Sequence, residues 1–432
     1  MNPAPTYNRG LHRLALVTAL ATFPLIFMGG LVTTHGAGLS VPDWPNSYGY
    51  NMFLFPPSQW MGGILYEHTH RLMGTVVGYC SVMLACWAWG AGRRPVVRRL
   101  LLAGIVLSLL AAIGTGVWLA AGHPGRQGDK LASRAAQSIV SFIGLALVFA
   151  AAWTSRVREP RRWVRYLALG VLGMVILQGV LGGLRVVALK LDLAIVHACV
   201  AQAFFCLAGL VAVVTSRWWI DAESQREPGS PAGRTLTRLA VIAWFVIYAQ
   251  LMVGATMRHY KAGLAIPDLP LAYGHVIPPT NAADLAADQQ RLAGDEWWNA
   301  NESTLGQVWL AFGHRIGAVL VTAALAAVVV TVLRKHRRHG LLTPALLLVG
   351  MLVLQITLGV LTVLLQKPAD ITSAHVAVGA LVLLTTFVLA VRSMRLYSRP
   401  LLTGTVEEQR GFEPVRRETS APSGAVGRPA IS

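Results

Sequence analysis

Apolar residues along this chain gather in runs of about twenty, separated by short segments rich in arginine, proline and glycine. The runs lie at roughly 14–34, 64–90, 100–121, 135–153, 166–184, 193–215, 239–257, 306–333, 343–366 and 372–391. Each is long enough to cross a hydrocarbon core of about 30 Å as a helix, and a bilayer admits only helices or closed barrels. The pattern predicts an all-α membrane protein, a polytopic bundle of about ten transmembrane helices. The first run follows Arg9 and Arg13, as a signal peptide would. It is too long for one and lacks a small-residue cleavage site before His35, so it is expected to stay as a mature helix.

Composition agrees: with 54% hydrophobic and 13% charged residues among 432, no ordinary soluble domain fits. A net charge of +18 would suggest a nucleic-acid partner in a soluble chain, so the placement of the cations decides its meaning. With both termini cytoplasmic, 26 of the 37 Lys and Arg fall in inner segments and 9 in outer loops, while Arg71 and Arg315 lie inside helices. That asymmetry reports orientation and contact with anionic lipid, and no nucleic-acid partner is expected. Cys80, Cys86, Cys199 and Cys206 all fall in predicted helices without CxxC spacing and read as packing residues. The tail over 400–432 has no apolar period and is expected to be disordered.

The chain repeats itself. AGLSVPDWPNSYG at 37–49 returns as AGLAIPDLPLAYG at 262–274, and LQGVLGGLRV at 177–186 returns as LQITLGVLTV at 354–363. HRLMG after Glu67 matches HRIGA at 314–318. Two four-helix units, each starting inside, are therefore expected as parallel repeats: an N-terminal half-bundle over 1–220 and a C-terminal one over 221–399. The first half carries one extra hairpin, about 93–156, which reads as a local duplication of the neighbouring pair with Ala136 standing about where His197 would be. It supplies no membrane-embedded ligand and is expected to be peripheral. The insert at 280–304 in the fourth outer loop predicts a short amphipathic helix, with Trp297 and Trp298 at headgroup level.

Topology sorts the twelve histidines. His70, His197, His314 and His375 occupy matched places within the first turns of inward-running helices, two per repeat and at one depth near the outer face. Two imidazoles facing across a bundle are the usual way to hold a six-coordinate haem iron, with the porphyrin edges against apolar side chains. Zinc would ordinarily call for Cys or a further carboxylate, and the second half offers none nearby. The halves are chemically unequal, because Glu67, on the same helix side as His70, is matched by Ala311. An ionisable group within a span is a functional candidate by default. Arg71 and Arg315 either pair with haem propionates or snorkel towards Asp43 and Asp268; both readings stand. His68 points away from His70 and reads as structural. Gln178 and Gln355, also matched, are candidates for supporting donors or interhelical bonds.

Taken together, EHTHRLMG with its ExxHR core, GHRIG, SAHVAVGAL, the paired LQGVLGGL and LQITLGVL helices and the GLSVPDWP loop resemble the haem A synthase family. The resemblance covers roughly 14–90 and 161–392. It implies a membrane oxidoreductase that converts the C8 methyl of haem O to a formyl group in two steps for cytochrome c oxidase biogenesis. It also implies a resident haem B on His314 and His375, and haem O between His70 and His197 with Glu67 as the catalytic group beside it. Implied partners are haem O synthase, oxidase assembly factors and an unidentified electron acceptor, with oligomeric state left open and a bacterial plasma membrane as the expected location. Two departures stand out: family members have eight helices, and many bacterial ones carry a cysteine pair where this chain has Asn46 and Ser47. The main competing class is a bis-His di-haem electron-transfer cytochrome acting on a quinol, which gives no reason for Glu in one half alone. A transporter with parallel repeats is the other.

Overall fold

The computed structural model describes residues 7–90, 95–120, 127–153, 158–189, 192–293, 303–337 and 340–398. In chain order the helices are α1 (Arg9–Thr34), α2 (Gly63–Trp89), α3 (Pro95–Ala120), α4 (Gln127–Trp153), α5 (Arg162–Val187) and α6 (Asp192–Thr215). Then come α7 (Arg217–Asp221), α8 (Pro231–His259), α9 (Ala282–Leu292), α10 (Leu305–Lys335), α11 (Leu342–Leu364) and α12 (Ala369–Tyr397). Among the described residues eight are long and apolar enough to cross a membrane: α1, α2, α5, α6, α8, α10, α11 and α12. The extra hairpin adds α3 and α4, of 26 and 27 residues. The all-α polytopic architecture read from the apolar runs holds, and the chain is an integral membrane protein.

Local chemistry sets the helix ends. Ser230 caps α8 with Pro231 in its first turn, where the missing proline N–H costs nothing. Thr304 and Gln307 form a reciprocal capping box at the start of α10. Gly90, with φ of 56°, closes α2 in the left-handed region.

Helix packing repeats. In the first half α1 contacts α2 and α6, and α5 contacts α2 and α6; in the second α8 contacts α10 and α12, and α11 contacts α10 and α12. The two groups meet along α1, α6 and α12, where Ile26, Phe205 and Ala380 form one buried cluster. Lipid tails are as apolar as leucine, so close approach through small residues does the work that hydrophobic burial does in water. Gly30 of α1 sits against Ser373 of α12, and Gly209 of α6 against Leu384 of α12; a β-carbon at either would collide.

The repeated outer loops fold alike. Asp43 accepts from the backbone N–H groups of Tyr48 and Gly49, both at 2.7 Å, and Asp268 does the same for Tyr273 and Gly274 at 2.7 Å. The Tyr48 hydroxyl donates to the Ser40 carbonyl, and the Tyr273 hydroxyl to that of Ala265. Both loops contain a cis proline, Pro45 and Pro270. In the insert, α9 is the expected short helix; Leu285 joins the buried core of the loop, while Trp297 and Trp298 lie outside the described residues. So do the tail beyond 398 and parts of the hairpin's ends.

The expectation that the hairpin is peripheral does not hold for α4. It packs on α2, and Asn51 of the first outer loop donates to Ser141 at 3.2 Å. The hairpin brings no histidine to the site, but α4 presents an apolar face to α2.

Candidate functional site

His70, His197, His314 and His375 line one cavity of about 1330 Å³ that runs through both halves. That exceeds the roughly 300–1,000 Å³ of pockets taking one drug-sized molecule. His70 and His197 lie within electrostatic reach of each other, as do His314 and His375. The four histidines matched by sequence are thus brought together as two facing pairs.

Each imidazole packs on a glycine of the helix that precedes its own in space. A β-carbon would stand 3.1 Å from the His70 ring at Gly29, 3.0 Å from His314 at Gly254 and 3.0 Å from His375 at Gly359. At Gly182 it would stand 3.4 Å from His197. Gly29 and Gly254 are matched positions of the repeat, and so are Gly182 and Gly359. The absent methyl group is therefore used four times to let the Cε1 edge of a ring approach a neighbouring helix.

Polar neighbours orient the rings. His375 Nδ1 is 3.1 Å from the Gln355 carbonyl, a contact that needs the Nδ1–H tautomer and leaves Nε2 free of its proton. Gln250 Nε2 lies 3.0 Å from His314 Nδ1 and donates to the His314 carbonyl at 2.8 Å. Gln178 donates to the His197 carbonyl at 3.1 Å. In the first half the imidazoles of His70 and His197 lie near the backbone of Leu25 and Gln178, residues of the neighbouring helices. Among the described residues no three His, Cys, Asp or Glu side chains converge as a zinc site would require.

Glu67 is 4% exposed and lines the same cavity. Its Oε1 accepts from Arg71 at 2.7 Å and its Oε2 from the Val41 N–H at 2.9 Å, so helix and loop together hold the carboxylate. Ala311 occupies the matched place, also buried and also lining the cavity.

Arg71 also donates to the carbonyls of Val41 (2.8 Å), Asp43 (2.6 Å) and Asn46 (3.0 Å). Arg315 donates to Ile266 (3.1 Å) and Leu271 (2.8 Å), the counterparts of Val41 and Asn46. Both arginines thus bind loop backbone rather than the Asp43 and Asp268 carboxylates, and both also line the cavity. His68 is fully buried, 3.1 Å from the Ser47 hydroxyl and against Phe55 and Trp60, a structural setting as expected.

Three cations line the cavity that repeat matching passed over. Arg185 of α5 lies close to loop one, against Gly38, and its Nε is buried without a partner. Arg258 of α8 hydrogen-bonds the Gly30 carbonyl and Thr34 hydroxyl of α1, its Nε likewise unpartnered. Lys367 sits in the turn between α11 and α12, where burial, with Arg258 and Lys261 nearby, pushes its pKa below the usual lysine value. The counterparts of Arg185 and Arg258 are Thr362 and Thr33, so self-comparison gave no signal for them, while Lys367 is matched in sequence by Lys190. The signal that was there is cations at outer helix ends, against the inward bias of the rest.

A family model described as "Cytochrome oxidase assembly protein" (COX15-CtaA) matches residues 134–388. A heme A synthase of Shewanella oneidensis is 26% identical over 391 residues, 86% of this chain and 93% of that protein. One from Rhodopseudomonas palustris strain BisB5 is 34% identical over 179 residues, 41% of this chain and 45% of that protein. One from Shouchella clausii is 32% identical over 83 residues, 19% of this chain and 26% of that protein.

Proposed function

The chain belongs to the COX15-CtaA family of cytochrome oxidase assembly proteins, that of the heme A synthases, and from this premise we propose that it oxidises the C8 methyl group of haem O to a formyl group. The observation that carries the reading is two matched pairs of buried imidazoles on one cavity, with a buried carboxylate beside only one pair. The pair with the carboxylate, His70 and His197, is the substrate site. The pair without it, His314 and His375, holds a resident haem B.

The donor sets fit these groups. Neutral imidazoles are the ordinary axial ligands of six-coordinate haem, and Arg185 in one half and Arg258 with Lys367 in the other offer cations to carboxylate substituents. Bound haem supplies the redox chemistry. Counted with water as the oxygen source, the methyl carbon loses two electrons and two protons in becoming hydroxymethyl, and two of each again in becoming a hydrated aldehyde. Loss of water then gives the formyl group, and the four electrons leave to an external oxidant.

The work of the chain is placement and proton handling. Arg71 and the Val41 N–H fix Glu67 at the cavity wall, so its carboxylate can take a proton from the reacting carbon or hold the attacking water. Gly29 and Gly182 set the two rings that fix the porphyrin's position relative to Glu67. Half-bundles over 1–220 and 221–399, with termini cytoplasmic and both sites near the outer face, complete the proposal.

The test is expression of the full chain in a host that makes haem O but not haem A, followed by extraction and identification of its haems by chromatography and mass. Haem A or its hydroxymethyl precursor beside haem B is expected. Glu67→Ala is expected to keep its haem but lower product roughly 10²-fold, the lower range for loss of an acid/base group. Haem B alone, at two per chain in both proteins, would overturn the reading in favour of a di-haem electron-transfer cytochrome.

A further inference from the structure

The cavity does not end at the imidazole pair of the first half. It continues inward along α2 below His70, past Gly74 and Gly78, where an added β-carbon would meet open space. One wall of this extension is α4: Ile139, Phe142, Ile143 and Ala146, spaced as one helix face, all line it. The opposite wall is α5, through Leu172, Val175 and Ile176.

The hairpin is tied to the substrate side at several points. Ser138 of α4 donates to the Asn46 side chain at 2.5 Å, and the Asn46 carbonyl accepts from Arg71, which pairs with Glu67. Phe142 packs on Phe53 of the first outer loop, ring centroids 4.9 Å apart, and Phe149 packs on Tyr79 of α2 at 5.2 Å. Among the described residues no counterpart of α4 packs on α10 in the second half. There the cavity also runs along the helix, lined by Ala318 and Thr322 in place of Gly74 and Gly78, and the packing neighbours are α8 and α11. The hairpin wall of the extension therefore belongs to the half with the carboxylate.

One atom in it asks for a ligand. The Tyr79 hydroxyl is buried, lines the extension and has no hydrogen-bond partner. A buried hydroxyl left unsatisfied costs about 1–3 kcal/mol, so its presence in an apolar channel points to a bound molecule with a polar atom of its own.

We propose that the α3–α4 hairpin completes an apolar channel that takes the polyprenyl tail of the substrate porphyrin, with Tyr79 hydrogen-bonding the hydroxyl at the tail's base. This rests on the function proposed above. Haem O differs from haem B in carrying a hydroxyalkyl isoprenoid chain in place of a vinyl group. A channel walled by the hairpin, which only the substrate half has, would select one over the other. The hairpin supplies the enclosing wall.

The experiment is titration of the purified full chain, its C-terminal haem in place, with haem O and separately with haem B, binding being assigned to the first half by its loss in His70→Ala. Ile143→Trp fills the channel and should weaken haem O at least about tenfold, the loss of roughly two buried CH₂ contacts, while haem B changes less than about twofold. Tyr79→Phe should weaken haem O alone, by about fivefold. Leu109→Trp on the exposed face of α3 should change neither. An unchanged resident-haem spectrum shows that each variant is folded, and Ala146→Phe serves as a second filling variant. Equal weakening of both haems, or none, would overturn the channel while leaving the substrate site intact. Wild-type protein that binds neither haem through His70 would overturn both.

Discussion

At the scale of single residues, four glycines carry as much of the site as the four histidines do. Gly254 leaves 3.0 Å between a would-be β-carbon and the His314 ring, so a larger side chain must shift the imidazole. Gly254→Val is expected to alter the absorption and electron paramagnetic resonance spectra of the haem bound to the second half, at an overpacking cost of about 1–3 kcal/mol. Gly313→Ala, beside His314 but facing open space, should leave those spectra unchanged. Identical spectra for both variants would remove the glycine from the positioning of the ring. The histidines were legible in the sequence because their residue type is rare within spans and the repeat set them in register. The glycines stood in the same register, yet glycine is common in membrane helices and its partner lies on another helix, so its purpose needed the packing. Arg185 and Arg258 were illegible for the opposite reason: each exists in one half only.

At the scale of elements, the outer loops are held to the helix that starts each site. Arg315 reaches from α10 to the Ile266 and Leu271 carbonyls, and Arg71 makes the matching bonds in the first half before it also reaches Glu67. The shared task of the two arginines is loop clamping, and the ion pair with Glu67 is an addition in one half. Arg315→Gln should therefore loosen loop four, since hydrogen bonds from a charged donor contribute about 1.5–3 kcal/mol each. Amide exchange at Tyr273 and Gly274 is expected to quicken at least about tenfold, and unchanged exchange would show that the Asp268 turn holds the loop alone. Repeated Pro-Asp-x-Pro motifs made these loops recognisable, but not the backbone carbonyls the arginines bind. Carbonyls leave no trace in side-chain identity. The sequence was also misleading about α4, which has no histidine to announce a place at the cavity yet lines it with an apolar face.

At the scale of the molecule, two similar half-bundles meet along α1, α6 and α12 and differ in one set of features. The differences cluster: a carboxylate at 67, a hairpin against α2, and open glycines below His70. Bundle architecture was readable because bilayer thickness dictates run length and the absence of water dictates helices. The division of labour between halves was readable only as an inequality, Glu67 against Ala311. The measurement that tests it most directly is haem B content per chain, with product haem scored in parallel, for His70→Ala, His197→Ala, His314→Ala and His375→Ala. Loss of haem B in the two C-terminal variants, with haem B retained but product abolished in the two N-terminal ones, is the expected result. Equal loss of haem B from all four variants would contradict the assignment of one resident and one substrate site.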